Sequence, residues 1–381
     1  MKIVVAPDSF KGALRSPEVA AALAAGWKSV RTTDEVVEIP LADGGEGTAE
    51  ALRLATGGER VTVPAHDALM RPIRSEYSIL GGGDTVVMEM ATAAGIELLT
   101  REELDPCVAT TYGAGEVLFA ALKRGAKKIV IGIGGSATVD GGAGFLQAVG
   151  AKYFDAAGKL IPPGIGGGSL HRIVRIDVSA LAETIGGELV VACDVTNPLL
   201  GETGTVAVFG PQKGVTPELK KRMEENIRHW SEVVMRSGLA DRCDAPGDGA
   251  AGGLGFALRT VLKAQIRSGA GLVLDLSGFD AAVRGAALVV TGEGCSDEQT
   301  AYGKLCAVAA ERAGAANVPT VLCAGALRGD TSALEKRFAG VFSIAAGPGS
   351  LDAAIAATRE NLCRAGSNLA TLASVFSGNK G

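Results

Sequence analysis

The sequence lacks the features of membrane, secreted and nucleic-acid-binding proteins. Its 381 residues contain no apolar run of about 18 or more residues, the length that a transmembrane helix needs. The amino terminus, MKIVVAPD, enters a short strand and an acidic loop, where a signal peptide would need a long apolar stretch. The 37 Lys and Arg residues are outnumbered by 42 Asp and Glu residues, which gives a net charge of −5 without a long basic run. We therefore expect a cytoplasmic protein with no membrane or nucleic-acid partner, and the sequence is compatible with a homo-oligomer.

Residues for several kinds of catalytic or metal site are also scarce. The three histidines, His66, His171 and His229, are far apart in the chain, and the seven cysteines include no Cys-X-X-Cys pair. These patterns argue against a zinc site and against a disulfide framework. The GxSxG motif of many serine hydrolases and the GxxxxGK[ST] phosphate loop of many nucleotide-binding proteins are both missing. Any nucleotide must therefore be held by another arrangement.

Glycine, by contrast, is abundant and is concentrated after strand-like apolar runs. Five of these runs end in a glycine-rich loop that contains a carboxylate: VVAPDSFKG (4–12), IPLADGGEGT (39–48), IVIGIGGSATVDGG (129–142), LVVACDVTNPLLG (189–201) and LVVTGEGCSDEQT (288–300). In open α/β sheets, ligands bind beyond the carboxyl ends of the strands, where such loops lie. Glycine lets the backbone approach a phosphate closely, and carboxylates bind Mg²⁺ or accept a proton. The combination predicts phosphate chemistry.

Each acidic loop also has a purely structural interpretation. In GIGGSATVDGG, residues 134–136 can donate hydrogen bonds to a phosphate, but the segment can equally be a strand-to-helix turn with Asp140 as the helix cap. Glu46, close to Asp43, can bind a metal or be an acidic residue in the first turn of a helix. The presence of five such loops, each at a strand end, favours a functional site over five unrelated turns.

Four cationic residues lie in or beside these loops and could bind phosphate or a substrate carboxylate. They are Lys11, Arg71, Lys213 and Lys304. The alternative for each is an exposed surface charge, which is the usual position of Lys and Arg. Lys11 and Lys213 lie in tight turns beside Gly or Pro, which restricts their freedom, so they are the stronger candidates.

The order of predicted elements indicates an α/β protein with two domains. Strands and helices alternate at both ends of the chain, and together the two ends supply five strand–helix units. Five such units make a complete flavodoxin-like doubly wound sheet. The middle of the chain mixes strands with long helices, among them predicted helices at Pro217–Ser237 and Leu254–Ile266. We therefore predict a discontinuous flavodoxin-like doubly wound domain, residues 1–60 plus 285–381, with a second mixed α/β domain, residues 61–284, inserted in it.

This division separates the five loops. Loops 4–12, 39–48 and 288–300 fall in the interrupted domain, and loops 129–142 and 189–201 fall in the insert. If they form one site, we expect that closure of the two domains brings them together.

The loops carry a family resemblance as well as a chemical pattern. The strings APDSFKG, PLADGGEGT, TTYGAGE, GIGGSATVDGGAG, ACDVTNPLLG, VFGPQKG, GAAGGLG and TGEGCSDEQT occur in this order between Lys2 and Lys304. Together they resemble the bacterial glycerate kinases that phosphorylate D-glycerate with ATP. The resemblance implies the same interrupted flavodoxin-like fold, ATP and Mg²⁺ as cofactors, and transfer of the γ-phosphoryl group to glycerate, in this family usually at the 2-hydroxyl to give 2-phosphoglycerate.

The loops and the resemblance together give three sets of candidate site residues. The catalytic candidates are Asp194, Asp8 and Lys304, with Asp194 as first choice for the proton acceptor and Asp8 as second. The candidates for binding substrate or phosphate are Ser9, Lys11, Arg71, Gly134, Gly135, Ser136, Asn197 and Lys213. The metal candidates are Asp43, Glu46, Asp140, Glu293 and Asp297.

The chain departs from the family pattern at three places. Val139 stands where Asn is usual, Cys295 and Ser296 replace the usual Arg-Leu, and HDALM (66–70) replaces the usual DPLG before Arg71. Loss of an Arg removes a donor for a carboxylate or phosphate. Three alternatives therefore stay open: phosphorylation of the 3-hydroxyl or of another short hydroxy acid, a Mg²⁺-dependent phosphatase or sugar-acid lyase, and a ligand-binding regulator without catalysis.

Overall fold

The computed structural model describes residues 1–181, 186–301 and 303–377. Its strands are β1 Lys2–Val5, β2 Glu35–Glu38, β3 Glu59–His66, β4 Pro72–Ile79, β5 Thr85–Glu89, β6 Lys128–Gly132, β7 Lys152–Phe154, β8 Arg175–Asp177, β9 Glu188–Ala192, β10 Gln265–Arg267, β11 Leu288–Ser296, β12 Thr320–Leu327 and β13 Gly340–Ser343. Its α-helices span Ser16–Val30, Thr48–Thr56, Ala91–Ala94, Tyr112–Lys123, Ala143–Ala148, Pro217–Arg236, Leu254–Thr260, Gly269–Leu276, Phe279–Val283, Leu305–Ala315, Ser332–Arg337, Leu351–Ala356 and Thr358–Ser377. Within the described residues, none of these helices is long and apolar enough to cross a membrane.

The chain folds as two compact units. The first unit contains Met1–Asp43, Glu50–Gly57 and the described part of Ala270–Gly381, and the second contains Gly44–Ala49 and the described part of Gly58–Gly269. The domain limits proposed from the sequence, 1–60 with 285–381 against 61–284, stay a prediction.

The first unit is built on a five-stranded parallel sheet with the order β13-β12-β11-β1-β2. Numbered by their order along the chain, these strands run 2-1-3-4-5, which is the flavodoxin-like arrangement and confirms the predicted fold class. One face of the sheet is covered by helix Ser16–Val30 and the long helix Thr358–Ser377, which pack on each other. Their contact is very close, since a Cβ at Gly26 would lie 1.9 Å from the carbonyl oxygen of Cys363.

The second unit is built on a six-stranded mixed sheet with the order β10-β9-β6-β5-β4-β3. Strands β10, β9, β6 and β5 are parallel, whereas β4 and β3 form an antiparallel hairpin at one edge. The apolar core lies around this sheet and includes the fully buried side chains of Met88, Ile131, Phe145, Trp230 and Phe256. This arrangement confirms the prediction of a mixed α/β insert.

One element of the sequence prediction was wrong in the second unit. The helix predicted over Leu254–Ile266 ends at Thr260, and Gln265–Arg267 is instead strand β10, paired in parallel with β9. Lys263 has a φ of 55°, a left-handed conformation that cannot continue a right-handed helix. Apolar residues continue past Thr260 as far as Ile266, so the apolar pattern did not mark the end of the helix.

Candidate active site

Three carboxylates meet at the carboxyl edge of the first unit's sheet. Asp8 follows β1, Asp43 follows β2, and Glu293 lies near the end of β11. Because β2, β1 and β11 are neighbouring parallel strands, their carboxyl ends lie at the same edge. This edge includes the point where the strand order reverses, between β1 and β11, which is where open α/β sheets bind ligands.

Asp8 has an unusual electrostatic environment at this edge. Burial raises the pKa of its carboxyl group from 3.8 to about 7, and the negative charges of Asp43 and Glu293 add to the rise. Two favourable contacts oppose it: the backbone N–H of Ser9 donates to Oδ1 at 2.6 Å, and the charge of Lys11 is close enough to lower the pKa. A carboxyl group with a pKa near neutral pH is suited to accept a proton during a reaction.

Glu293 is oriented by two hydroxyl groups. Its Oε1 accepts hydrogen bonds from Ser296 Oγ at 2.8 Å and from Thr300 Oγ1 at 2.7 Å. Ser296 is fully buried and is one of the departures from the family pattern, so this chain gives Glu293 a partner that the usual Leu could not supply. Beside this pair, Lys304 Nζ lies 3.4 Å from Asp297 Oδ1. Four predicted residues, Asp8, Glu293, Asp297 and Lys304, therefore belong to the same strand-end region.

The second unit brings two of the predicted loops together at the edge of its own sheet. A Cβ atom at Gly134 would lie 3.2 Å from the Cα atom of Gly45, and one at Gly132 would lie 2.9 Å from the carbonyl oxygen of Gly44. A side chain at Gly132 would force the backbone at Gly44 to shift, and one at Gly134 would be in tight contact with Gly45. The loop that carries Glu46 therefore packs directly on the glycine-rich loop after β6.

Lys213 is buried behind that glycine-rich loop. Its Nζ donates to Ser136 Oγ at 2.5 Å and to the carbonyl oxygen of Thr138 at 3.0 Å, and only 2% of the residue is exposed. Burial lowers the pKa of Lys213 from 10.5 to about 7, although the nearby charge of Asp140 opposes the fall. Lys213 was predicted to bind phosphate, but in the structure its direct partners are the loop's own hydroxyl and carbonyl groups.

Asp140 has the contacts of a structural cap. Its Oδ2 accepts hydrogen bonds from the backbone N–H and the hydroxyl of Thr111, at 2.8 and 2.7 Å, and from the N–H of Gly144 at 3.2 Å. Its Oδ1 accepts from the N–H of Gly142 at 3.1 Å. The residue is fully buried, and burial raises its pKa. This geometry matches the helix-cap interpretation of the loop, and the metal role of Asp140 stays a prediction.

Asp194 and Asn197 follow β9, and their side chains form hydrogen bonds with neighbouring residues. Asp194 Oδ1 accepts hydrogen bonds from Ser268 Oγ at 2.8 Å and from the N–H of Gly269 at 2.9 Å. Asn197 Nδ2 donates to the carbonyl oxygen of Thr203 at 2.8 Å. Both side chains thus have a local structural role, and the catalytic role predicted for Asp194 and the binding role predicted for Asn197 stay predictions.

Arg71 is held in a chain of ion pairs. Its Nε donates to Asp67, and its Nη1 lies 2.5 Å from Glu103 Oε1. The side chain is about half exposed, at 47%. In the same segment, His66 Nδ1 contacts Glu116 Oε2 at 2.9 Å. The segment HDALM (66–70), which departs from the family pattern, therefore lies in a loop with its own ion pairs.

Val139, another departure from the family pattern, is a fully buried residue of the apolar core.

Glu89 is a candidate functional residue that the sequence interpretation missed. It ends β5, is 7% exposed, and accepts hydrogen bonds from the backbone N–H groups of Gly47 at 3.1 Å and Ala49 at 2.7 Å. Burial raises its pKa to about 7 against the effect of these two bonds, and the charges of Glu46 and Glu76 raise it further. A carboxylate within a buried apolar run, TVVMEM, was the available signal, since unpaired Glu is almost never buried.

We expect Glu89→Gln to lower kcat/KM by about 10-fold, because the amide has one acceptor atom for two N–H donors and the loop that carries Glu46 loses its fixed position. Above about pH 7 the free energy of unfolding should rise slightly, because the neutral amide removes a buried negative charge whose pKa is raised to about 7. Steady-state kinetics and thermal melting measure these effects, with the exposed Glu97→Gln as the matched control. Unchanged kinetics in Glu89→Gln would show that the loop position does not depend on this carboxylate.

The acidic groups of the first unit are also candidates for binding Mg²⁺. Among residues 1–181, 186–301 and 303–377, no group of three or more His, Cys, Asp or Glu side chains is arranged to hold a metal ion. Proteins often bind Mg²⁺ with one or two carboxylates while the substrate phosphates and water complete the coordination. Asp43 and Glu293 add negative charge beside Asp8, and the metal roles predicted for Asp43, Glu46, Glu293 and Asp297 stay predictions.

Comparisons with known proteins cover nearly the whole chain. A model of the glycerate kinase family matches residues 3–374. The chain is similar to a glycerate 2-kinase of Escherichia coli (strain K12), with 41% identity over 383 residues and 100% of both chains covered. It is similar to a glycerate kinase of Bacillus subtilis (strain 168), with 41% identity over 372 residues and 97% of each chain. A crystal structure assigned as glycerate kinase 2 from Salmonella typhimurium LT2 superimposes with a TM-score of 0.89 and 39% identity, over 99% of each chain.

Proposed function

Because the chain belongs to the glycerate kinase family and is an ATP-dependent phosphotransferase that acts on glycerate, we propose that it transfers the γ-phosphoryl group to the 2-hydroxyl of D-glycerate. The name of the Escherichia coli relative, glycerate 2-kinase, supports this choice of hydroxyl. The observation that supports the chemistry most directly is the position of Asp8 at the β1/β11 edge, where burial and two neighbouring carboxylates raise its pKa to about 7.

In this proposal Asp8 accepts the proton of the substrate hydroxyl. Asp194 was the first choice from the sequence, but it is exposed, and its Oδ1 already accepts two hydrogen bonds from Ser268 and Gly269. Asp8 is partly buried, and its pKa is raised to about 7. A base is most effective when its pKa lies near the operating pH. We therefore propose that Asp8 accepts the proton of the substrate hydroxyl and that Asp194 fixes the orientation of the loop after β9.

The other charged groups of the first unit would neutralise the negative charge of the phosphate groups. Phosphoryl transfer needs little covalent help from a protein, but it needs positioning and neutralisation of the phosphate oxygens. Lys11 and Lys304 would supply positive charge, with Asp297 orienting Lys304. Glu293 and Asp43 would hold Mg²⁺, which neutralises negative charge on the phosphates when it is bound. The N–H of Ser9 keeps the Asp8 carboxylate oriented.

In the second unit, Gly134, Gly135 and Ser136 would contact a phosphate or carboxylate through backbone N–H groups and the Ser136 hydroxyl. Lys213 would act through Ser136, because its Nζ is buried and donates to that hydroxyl. A positive charge behind the hydroxyl strengthens its interaction with an anion. Arg71, about half exposed, and Asn197 would contact the substrate carboxylate, and Glu46 would contribute a metal-facing carboxylate.

The test is ADP release with and without D-glycerate in the presence of MgATP. The proposal predicts ADP only when glycerate is present. A phosphatase or lyase would instead act on a phosphorylated or free sugar acid without ATP, and a regulator would bind glycerate without turnover. A panel of short hydroxy acids as acceptors would define the substrate range. We also propose that the protein acts in the cytoplasm, where ATP is available.

A further inference from the structure

The glycine-rich segment 247–253 of the second unit is buried and has an unusual backbone. Its last three residues, Ala251, Gly252 and Gly253, all have left-handed conformations, with φ values of 52°, 70° and 91°. This conformation is unfavourable for Ala251, which has a Cβ atom. A strained backbone persists where the surrounding structure fixes it. The neighbours of this segment therefore determine its shape.

The first neighbour is the loop after β6, which carries Ser136. The N–H of Gly141 donates to the carbonyl oxygen of Gly252 at 2.9 Å. A Cβ atom at Gly252 would lie 1.9 Å from the carbonyl oxygen of Thr138. That same oxygen accepts a hydrogen bond from Lys213 Nζ, which also donates to Ser136 Oγ. Gly252 thus packs against the group that helps to orient Ser136.

The second neighbour is the loop after β9, which carries Asn197. The N–H of Gly249 donates to the carbonyl oxygen of Asn197 at 2.9 Å. The carbonyl oxygen of Gly249 accepts from the fully buried hydroxyl of Thr205 at 2.7 Å. A Cβ atom at Gly249 would lie 2.2 Å from the carbonyl oxygen of Pro198. Segment 247–253 therefore contacts both loops through positions three residues apart.

A buried ion pair holds this segment in place. Arg259 donates to the fully buried Asp248, from Nε to Oδ1 at 2.7 Å and from Nη2 to Oδ2 at 2.8 Å. Two parallel bonds from a guanidinium fix both the distance and the angle of a carboxylate. The carbonyl oxygen of Asp248 also accepts from the N–H of Phe256 at 3.1 Å. The segment is thus bonded through side chain and backbone to the helix Leu254–Thr260, which carries Arg259.

We propose that Arg259 is a positioning residue for the substrate, an inference that rests on the proposed function. Through Asp248 it fixes segment 247–253, and that segment fixes the spacing between the two loops. Ser136 and Asn197, one on each loop, are proposed to contact the substrate. A change in their spacing weakens substrate binding although both side chains remain present, because binding depends on their geometry.

Two substitutions of Arg259 test this role by steady-state kinetics. Arg259→Met removes both bonds to Asp248, whereas Arg259→Lys keeps the charge but not the pair of parallel bonds. The KM for D-glycerate should rise by about 10-fold in Arg259→Met and by a smaller factor in Arg259→Lys, with the KM for MgATP within about twofold of the parent value. A loss of folded protein alone would lower kcat and leave both KM values unchanged.

Arg31→Met is the matched control. Arg31 pairs with the buried Asp34 in the first unit, and its side chain is 19% exposed, against 23% for Arg259. The control should therefore lose a comparable ion pair without a change in the KM for D-glycerate. Circular dichroism identifies a variant that fails to fold, and if Arg259→Met fails, Arg259→Lys decides.

Amide hydrogen exchange tests the same contacts without turnover. In the folded Arg259 variant, exchange should be at least about 10-fold faster than in the parent at residues 134–142 and 194–201, and unchanged in β5 of the same unit. Unchanged exchange in both loops, or a KM for D-glycerate within twofold of the parent value, would overturn the proposal. A parent protein that releases no ADP with glycerate, while the variant still shows faster exchange in both loops, would refute the proposed function and leave the role of Arg259 in fixing the loops supported.

Discussion

Asp8→Asn is expected to lower kcat by on the order of 10² to 10⁴-fold, the usual contribution of a positioned base, and at the same time to raise the melting temperature. The carboxyl group has a pKa of about 7 in the folded protein, against an ordinary value of 3.8. Between these pH values the folded state binds more protons than the unfolded state, so the contribution of Asp8 to stability is lost as the pH rises. Above about pH 7 the ionised group destabilises the fold, and the neutral amide removes that cost.

The pH dependence of the stability distinguishes removal of the Asp8 charge from a general effect of the substitution on stability. The gain in stability should be about 1 kcal/mol at pH 8, or about 2 to 4 °C in melting temperature, and should shrink toward pH 5. Asp352→Asn, at an exposed position of the same unit, should change neither activity nor this pH dependence. Asp194→Asn should keep most of the parent kcat. Near-normal turnover in Asp8→Asn together with inactive Asp194→Asn would reverse the assignment of the base.

Lys213→Met is expected to lower kcat/KM by about 10²-fold, because Ser136 loses the positive charge that supports its contact with an anion. Burial shifts the pKa of Lys213 downward, from 10.5 to about 7. Between these values the unfolded chain binds more protons than the folded protein, so the stability contributed by this group rises with pH. The charged lysine destabilises the fold most below about pH 7.

The melting temperature of Lys213→Met relative to the parent should therefore be highest near pH 6 and should fall toward pH 9.5, the opposite slope to that of Asp8→Asn. Met is similar in length and apolar, so it can occupy the buried position. Lys221→Met, at a side chain that is 87% exposed in the same unit, is the control and should alter neither quantity. If Lys213→Met kept the parent kcat/KM, the lysine would be a packing residue without a role in anion binding.

Much of the fold could be predicted because it depends on local patterns. Alternating strands and helices at the two ends of the chain indicated the flavodoxin-like sheet, and the 2-1-3-4-5 strand order confirms it. The prediction failed at Gln265–Arg267, because the apolar residues before it continue the helical pattern past Thr260 and pairing with β9 makes the segment a strand.

The candidate site was only partly predictable, because its energetics depend on contacts between distant residues. The sequence indicated Asp8 through its loop, but its pKa is raised by burial and by the charges of Asp43, in the loop after β2, and Glu293, in β11. Lys213 contacts a residue 77 positions away, and Glu89 binds a loop about 40 positions away. No local motif reports such contacts. The sequence alone did not show whether Asp140 caps a helix or faces a metal. The cap interpretation depends on five hydrogen-bond donors around its carboxylate, and most of them come from other parts of the chain.

The most direct test of the proposed reaction is identification of the product. The protein is incubated with D-glycerate and MgATP, and the product is analysed by phosphorus and proton NMR. The account predicts ADP and 2-phosphoglycerate in equal amounts, with the phosphorus coupled to the single proton on carbon 2. Formation of 3-phosphoglycerate, or no phosphorylated glycerate at all, would contradict it.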